Sequence, residues 1–403
     1  MPKSIVIVGS GIAAITAIKS IREIDLESDI YLIGEEKFYP YNRIRLSKGI
    51  FDELEENKIL LQKKEWYENN KVKIFINTKV VNVDIDNKEV LLFDGRKIKY
   101  DKILFANGSS NTIPPIDGIG KAGVYTLRGL NDALSIKNRL DESKQIIIIG
   151  GGIQGLEMAW ILHQHGKKVI IVELLSRLMP QLLDDNSSEL LKKIIQDCGI
   201  QVVTSTKVKE IIGDTKVEGV LIDGKDKLEC DIVIYSTGVK PNIELLENTN
   251  IKTARGIVVN DKMETNVKNV YAAGDIAEFN NKVVGLWNVA IAQGKVAGYN
   301  IAEKEELYEN VIPVTTLNAF GISLFSMGCI NETESTKVLV DENISRNQYK
   351  KIFIKNNKVV GAIVIGDIKQ SPLLKGAIEK EIVLDEVDFT NISIEDLLNK
   401  LKK

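Results

Sequence analysis

Two short glycine-rich stretches carry the strongest chemical signal in the chain. Gly9-Ser10-Gly11-Ile12-Ala13-Ala14 fits GxGxxA, and Gly150-Gly151-Gly152-Ile153-Gln154-Gly155 fits GxGxxG. The first glycine of such a run permits a tight turn, and the second lets backbone approach a pyrophosphate. The third small residue lets a helix pack close to a strand, with amide groups and the helix dipole facing the anion. An acid follows each run, Glu35 at 26 residues past Gly9 and Glu173 at 23 residues past Gly150. Such carboxylates accept hydrogen bonds from ribose hydroxyls. Two sites of this kind in one polypeptide imply two dinucleotides exchanging electrons. Glu173 also repels a 2′-phosphate, which favours NADH over NADPH. Arg177, four residues on, is the competing phosphate ligand.

The elements that must position these turns are legible as short apolar runs. Ser4–Val8 reads as a buried strand, Ile12 to about Ile24 as a helix, and Ile30–Ile33 as a second strand ending at Glu35. About 140 residues later the pattern recurs: strand Gln145–Ile149, glycine turn, helix Leu156–His165, and strand Lys168–Val172 ending at Glu173. Each such unit founds a doubly wound domain. Lys102–Phe105 runs into Ala106-Asn107-Gly108-Ser109, Asp231–Tyr235 into Ser236-Thr237-Gly238, and Val270–Ala273 into Gly274-Asp275. Gly238 is grouped with Gly150, Gly152, Gly155 and Glu173 as NAD-binding. Asn111–Gly123, with Pro114 and Pro115, reads as a crossover. Beyond Glu306 the glycine motifs stop. Strand-like runs Thr336–Val340, Tyr349–Lys355 and Val359–Ile365 lead to an amphipathic end, Ile392–Leu401. The expected fold is α/β, with two Rossmann-like dinucleotide-binding domains and a smaller carboxy-terminal α+β domain. Residues 1–114 and 245–305 would form the first domain, 115–244 the second and 306–403 the third.

Composition narrows the function classes. The 403 residues are 44% hydrophobic and 27% charged, with 53 Lys and Arg against 56 Asp and Glu for a net charge of −3. Nothing there supplies the positive field that nucleic acid requires. The first apolar stretch, Ile5–Val8, is too short for a leader or a membrane helix. Cys198, Cys230 and Cys329 fall at unrelated spacings with no CxxC pair, which suits a reducing cytoplasm. The two histidines, His163 and His165, share one segment and make no metal site.

With these residues in hand, the chain resembles the FAD-dependent pyridine nucleotide oxidoreductases, whose fold is glutathione-reductase-like. The resemblance is strong over about residues 3–305 and looser in the tail. Within that family it is most similar to the reductases that serve rubredoxin, and to the flavin-binding amino-terminal part of NADH-dependent nitrite reductases. Gly9, Gly11, Ala13, Ala14 and Glu35 would then hold FAD. Thr265-(x5)-Tyr271-Ala272-Ala273-Gly274-Asp275 resembles the family's second FAD motif, in which Asp275 binds the ribityl chain. Pro40-Tyr41-Asn42-Arg43-Ile44-Arg45-Leu46-Ser47-Lys48 is similar to the segment lying against the isoalloxazine. That match implies FAD contacts from Arg43 and Lys48, with Lys48 paired to Glu157 beside flavin N5 as the catalytic pair. A cation near the ring stabilises negative charge on it. The same resemblance implies an FAD contact from Arg128 and a backbone contact to adenine from Val80. It places Trp287 at a helix start facing the flavin pyrimidine, where the dipole favours an anion.

Departures from the family pattern also inform. The turn after Phe105 reads Ala-Asn-Gly where the family has Ala-Thr-Gly. No cysteine lies between Glu35 and Lys48, where disulfide reductases carry a CxxxxC pair and some oxidases one Cys. The His-Pro signature of the family's dimer interface is missing too, so a monomer without a thiol relay is expected. The implied function passes electrons from NADH through FAD to a small one-electron iron–sulfur carrier, rubredoxin foremost. The alternatives are an electron-input module for a nitrite or sulfite reductase, a peroxide-forming NADH oxidase, and a slow redox sensor. Arg45, Lys48, Lys350, Lys351 and Lys355 are the cations expected to steer an acidic carrier.

Overall fold

The computed structural model describes residues 2–52, 54–223, 226–309, 311–385 and 387–402. The chain divides into two compact units, Met1–Asn111 with Val239–Val311, and Thr112–Gly238 with Ile312–Lys403.

In the first unit the strand Ser4–Val8 is central because its isoleucines and valines are buried on both faces, Ile5, Val6 and Ile7 completely. It lies in a five-stranded parallel sheet, between Asp29–Ile33 and Lys102–Phe105, with Val72–Phe75 and Val270–Ala272 at the edges. Helix Ile12–Arg22 buries Ala13, Ala14, Ile15, Ala17, Ile18 and Ile21. It stops at Arg22, two residues short of the sequence expectation. The Arg22 guanidinium donates to the carbonyls of Asp25, Ser28 and Asn70 at 2.7–2.9 Å, so the chain turns around it and leaves Ile24 exposed. A three-stranded antiparallel sheet, Val80–Asp84, Glu89–Leu92 and Lys97–Lys99, completes the unit's first segment.

The second unit repeats this plan. Gln145–Ile149 is central between Lys168–Val172 and Ile232–Tyr235, with Gln201–Val203 and Val124–Tyr125 outside them. Its own three-stranded sheet is Val208–Ile212, Gly219–Ile222 and Lys227–Glu229. The internal repeat therefore extends well past the glycine turns. Helix Ile153–Gln164 starts three residues before its sequence-expected first residue, since Gln154 and Gly155 are already in its first turn.

The tail is a five-stranded antiparallel sheet in the order Val314–Ala319, Ile322–Gly328, Lys358–Gly366, Gln348–Lys355, Lys337–Asn343. Helices Ser371–Glu379 and Ile394–Lys400 pack Leu374, Ala377, Ile378, Ile394, Leu397 and Leu398 into its core. One expectation is corrected here. Lys351 is not a surface cation but 4% exposed, because strand alternation puts it on a buried face between Tyr349 and Phe353. Lys350 is half-buried and Lys355 exposed. Among the described residues no helix is long and apolar enough to cross a membrane.

Candidate functional site

Gly9 takes φ +104°, and its amide donates to Ile33 O at 2.8 Å. A Cβ there would stand 2.3 Å from Ala106 O, so neither the conformation nor the space admits a side chain. Gly11 is the reverse case. A Cβ there would meet nothing within 4 Å, and the helix that it heads has no side-chain cap. Its first-turn N–H groups are thus left for a ligand. Glu35 lies two residues past its strand, 67% exposed, with Lys79 at 3.0 Å. Val80 begins the adjacent strand and is 6% exposed.

A second helix, Trp287–Ile301, runs parallel to Ile12–Arg22. The Cα of Gly294 packs on Ala13 and that of Gly298 on Ala17, where added Cβ atoms would stand 2.4 Å from the Ala13 and Ala17 carbonyls. This register sets the start at Trp287 six residues ahead of Ile12, roughly 9 Å at 1.5 Å per residue. It too lacks a side-chain cap. Two uncapped helix starts in one unit could therefore meet one ligand at two depths. Trp287 itself is half-buried. Gln293, on the same helix and 3% exposed, accepts from Gly274 N at 2.9 Å and so fixes the turn that carries Asp275.

Ser109 Oγ donates to Asp275 at 2.9 Å. Arg43 donates to Glu36 and to the Tyr41 hydroxyl (3.1 Å), and Tyr41 donates to Glu36 at 2.6 Å. Burial works against the Arg43 charge, but Tyr41, Glu36 and Asp275 outweigh it and hold the guanidinium above its ordinary range. Arg43 and Asp275 are thus brought together from distant segments. Asn107, the departure from the family turn, has a structural use: its amide donates to Asn242 O at 3.0 Å, and Asn242 returns a bond to Asn107 O at 2.8 Å. Asn107 Oδ1 is buried and has no hydrogen-bond partner among the described residues. Glu36, Tyr41, Ser109, Gln293 and the Gly294–Gly298 stripe were not singled out from sequence. Only the last left a signal there, four-residue spacing of glycines matching Ala13 and Ala17.

In the second unit Gly150 takes φ +113° and a Cβ there would meet Ser236 O at 2.3 Å, while Gly152 is open. Gly155 crosses so close to Gly150 O that a Cβ would stand 2.3 Å from it. Glu173, 8% exposed, accepts from Gly151 N at 2.6 Å and from Leu175 N at 2.7 Å. Its carboxylate is thereby fixed beside the turn. Arg177 points to Asp185 at 2.7 Å and to Pro180 O at 3.3 Å. Gly238 has φ +93° and open space at its Cα. Arg128 and Glu157 also belong to this unit. Arg128 N donates to Asp132 at 2.9 Å, and neighbouring Leu127 O accepts from Gln154 at 2.6 Å. Glu157 is half-buried on helix Ile153–Gln164, whereas Lys48 is exposed on the short helix Arg45–Lys48 of the first unit.

The first unit fits a flavin dinucleotide: two uncapped helix starts, an open Gly11 and an orphaned buried acceptor at Asn107. When bound, FAD accepts a hydride equivalent from NADH and releases its electrons to an acceptor. The groups that would orient it are the helix N-termini and Arg43, which offer positive potential, and Asp275, which would offer an acceptor for hydroxyls. The fold and site define a two-dinucleotide oxidoreductase.

Residues 3–294 match the family model of the pyridine nucleotide-disulphide oxidoreductases, and residues 313–382 that of the rubredoxin NAD+ reductase C-terminal domain. The NADH-rubredoxin oxidoreductase of Clostridium acetobutylicum is 35% identical over 400 residues, covering 98% of this chain and 99% of that protein. The crystal structure of the enzyme of that name and organism superposes with a TM-score of 0.83 at 34% identity, covering 99% of this chain and 100% of that one. A nitrite reductase [NAD(P)H] of Bacillus subtilis is 33% identical over 392 residues, covering 97% of this chain and 49% of that protein. The chain belongs to the pyridine nucleotide-disulphide oxidoreductase family. It is an enzyme, an FAD-dependent NADH:acceptor oxidoreductase.

Proposed function

We propose that this reductase passes electrons from NADH, through FAD held by the Gly9–Ala14 turn, Arg43 and Asp275, to a small iron–sulfur carrier, rubredoxin foremost. The observation that carries this reading is the rubredoxin-reductase match across the tail, residues 313–382, joined to full-length similarity to an NADH-rubredoxin oxidoreductase. The thiols support it. Burial and Asp231 push Cys230 up to about 12, and burial also raises Cys198, so neither readily forms the thiolate a relay needs. Lys48 and Glu157 are the proposed pair beside the flavin. A second reading, electron input to a nitrite-reducing centre, is favoured by similarity to nitrite reductases such as that of Bacillus subtilis. Steady-state turnover with rubredoxin, ferredoxin and oxygen side by side separates the two. Rubredoxin as the best acceptor upholds the first, and three poor acceptors favour the second.

A variant with Cys198→Ser, Cys230→Ser and Cys329→Ser should keep NADH-to-acceptor turnover within about twofold. Loss of turnover with FAD still bound would mean a thiol takes part after all.

NADH should be preferred over NADPH by at least about tenfold, or roughly 1.4 kcal/mol. Glu173 is held beside the turn by two amides while Arg177 faces Asp185. Glu173→Ala should narrow the ratio of kcat/KM values. Equal efficiencies in the unmodified enzyme would assign the reading to Arg177.

A further inference from the structure

The loop after Glu173 folds back over the second glycine turn. Met179 N donates to Gly151 O at 3.1 Å, and the Leu178 side chain packs where a Gly151 Cβ would stand. Leu178, Met179 and Leu183 are buried, and Met179 sits at φ +46°, a conformation that persists only where its surroundings impose it. The tail sheet grips the far end of the same loop. Ser326 Oγ donates to Leu182 O at 2.6 Å. Tyr349 donates to Asp184 at 2.8 Å, and the Lys351 ammonium is paired with Asp184 and Glu332. Asp184 also caps helix Asp185–Asp197 through Ser187 N at 3.0 Å. Ser326, Tyr349 and Lys351 are all at most 4% exposed.

Burying an ammonium and a carboxylate is no route to stability as such, since packed apolar groups serve about as well. A buried, fully hydrogen-bonded set is directional, however, and tolerates few arrangements. Burial alone would lower the Lys351 pKa, but Asp184 and Glu332 outweigh it, so the pair stays charged.

We propose that the carboxy-terminal sheet is part of the NADH-binding apparatus, with Ser326, Tyr349 and Lys351 acting as positioning residues that hold Leu178–Asp184 against the Gly150–Gly155 turn. A loop ordered before the nucleotide arrives has no ordering entropy left to lose on binding. The proposal rests on the assignment of that turn to NADH.

The test uses full-length FAD-loaded protein. NAD+ binding is measured by calorimetry, and NADH reduction of the bound flavin by rapid mixing. Tyr349→Phe combined with Ser326→Ala should weaken NAD+ binding about tenfold, with FAD content and the limiting rate of flavin reduction within twofold of the unmodified enzyme. Lys351→Met alone should weaken it at least as much. The volume-conserving, uncharged pair Asp184→Asn with Lys351→Met keeps the helix cap and should regain most of the affinity. Should Lys351→Met fail to fold, the Tyr349 and Ser326 variant decides. A lowered Tm with unchanged NAD+ affinity in that variant would reduce the network to a structural clasp and overturn the proposal. Gly152→Val keeps the two failures apart, since its side chain enters open space that the pyrophosphate would need. Loss of NAD+ binding at unchanged Tm upholds the turn assignment, and retained binding overturns that assignment.

Discussion

Asp275→Ala should purify as a colourless protein that regains little yellow colour on incubation with FAD. The carboxylate stands at the end of the strand Val270–Ala272, where Gly274 takes φ +85° and Gln293 grips the Gly274 amide. Ser109 donates a hydrogen bond to it, and an ionised carboxylate offers only acceptors, the chemistry that ligand hydroxyls need. Removing a hydrogen-bonding carboxylate costs about 1.5–3 kcal/mol, roughly 10- to 150-fold in affinity. Asp275 is also one of the charges that sustain Arg43, so its loss should weaken a second proposed FAD contact. Absorbance near the flavin band relative to protein, before and after dialysis against FAD, measures the outcome. Gln293→Leu should give a milder version, because it releases the turn without removing the acceptor. An Asp275→Ala protein as yellow as the parent would mean that the ribityl chain is held by something else.

What the sequence disclosed, and what it hid, follows from the range of the interactions. The two glycine turns were legible because each role, a positive φ at Gly9 and Gly150 and open space at Gly11 and Gly152, needs glycine at a fixed local spacing. The central strands were legible because burial on both faces leaves continuous runs such as Ile146–Ile149. Gln293 was not, since an isolated glutamine in a helix looks like surface until the turn that it holds is in place. The hairpin Val314–Gly328 was passed over because Thr315, Thr316 and Asn318 dilute its apolar content. Its alternation, with Thr315, Leu317 and Ala319 buried, carried the signal. Lys351 was misread for an electrostatic reason. A lysine reads as surface unless its buried partner is known, and Asp184 lies 167 residues away.

The acceptor is where sequence and fold leave most for chemistry to decide, and there the expected result is selective: reduced enzyme should deliver electrons to rubredoxin at least about tenfold faster than to oxygen or ferredoxin at low salt. Transfer between proteins needs a docking surface near the donor. Arg45 and Lys48 are both exposed on the one-turn helix Arg45–Lys48, three residues apart and so on one face. The segment from Tyr41 to Lys48 also carries Arg43, which reaches the Glu36 and Asp275 cluster, so this cationic face adjoins the proposed flavin site. With Lys351 withdrawn into the core, Arg45 is the better anchor for an acidic carrier. If attraction of opposite charges speeds encounter, the rate must fall between about 0.01 and 0.15 M salt, as the screening length shrinks from about 30 to 8 Å. Arg45→Glu should slow rubredoxin reduction about tenfold at the lower salt and by less at the higher, where the charge is already screened. Flavin reduction by NADH should be unchanged in that variant, since Arg45 lies outside the second glycine turn. A salt-independent rate with an Arg45→Glu enzyme as fast as the parent would move the docking surface elsewhere. Rubredoxin no faster than oxygen at low salt would remove the carrier reading itself.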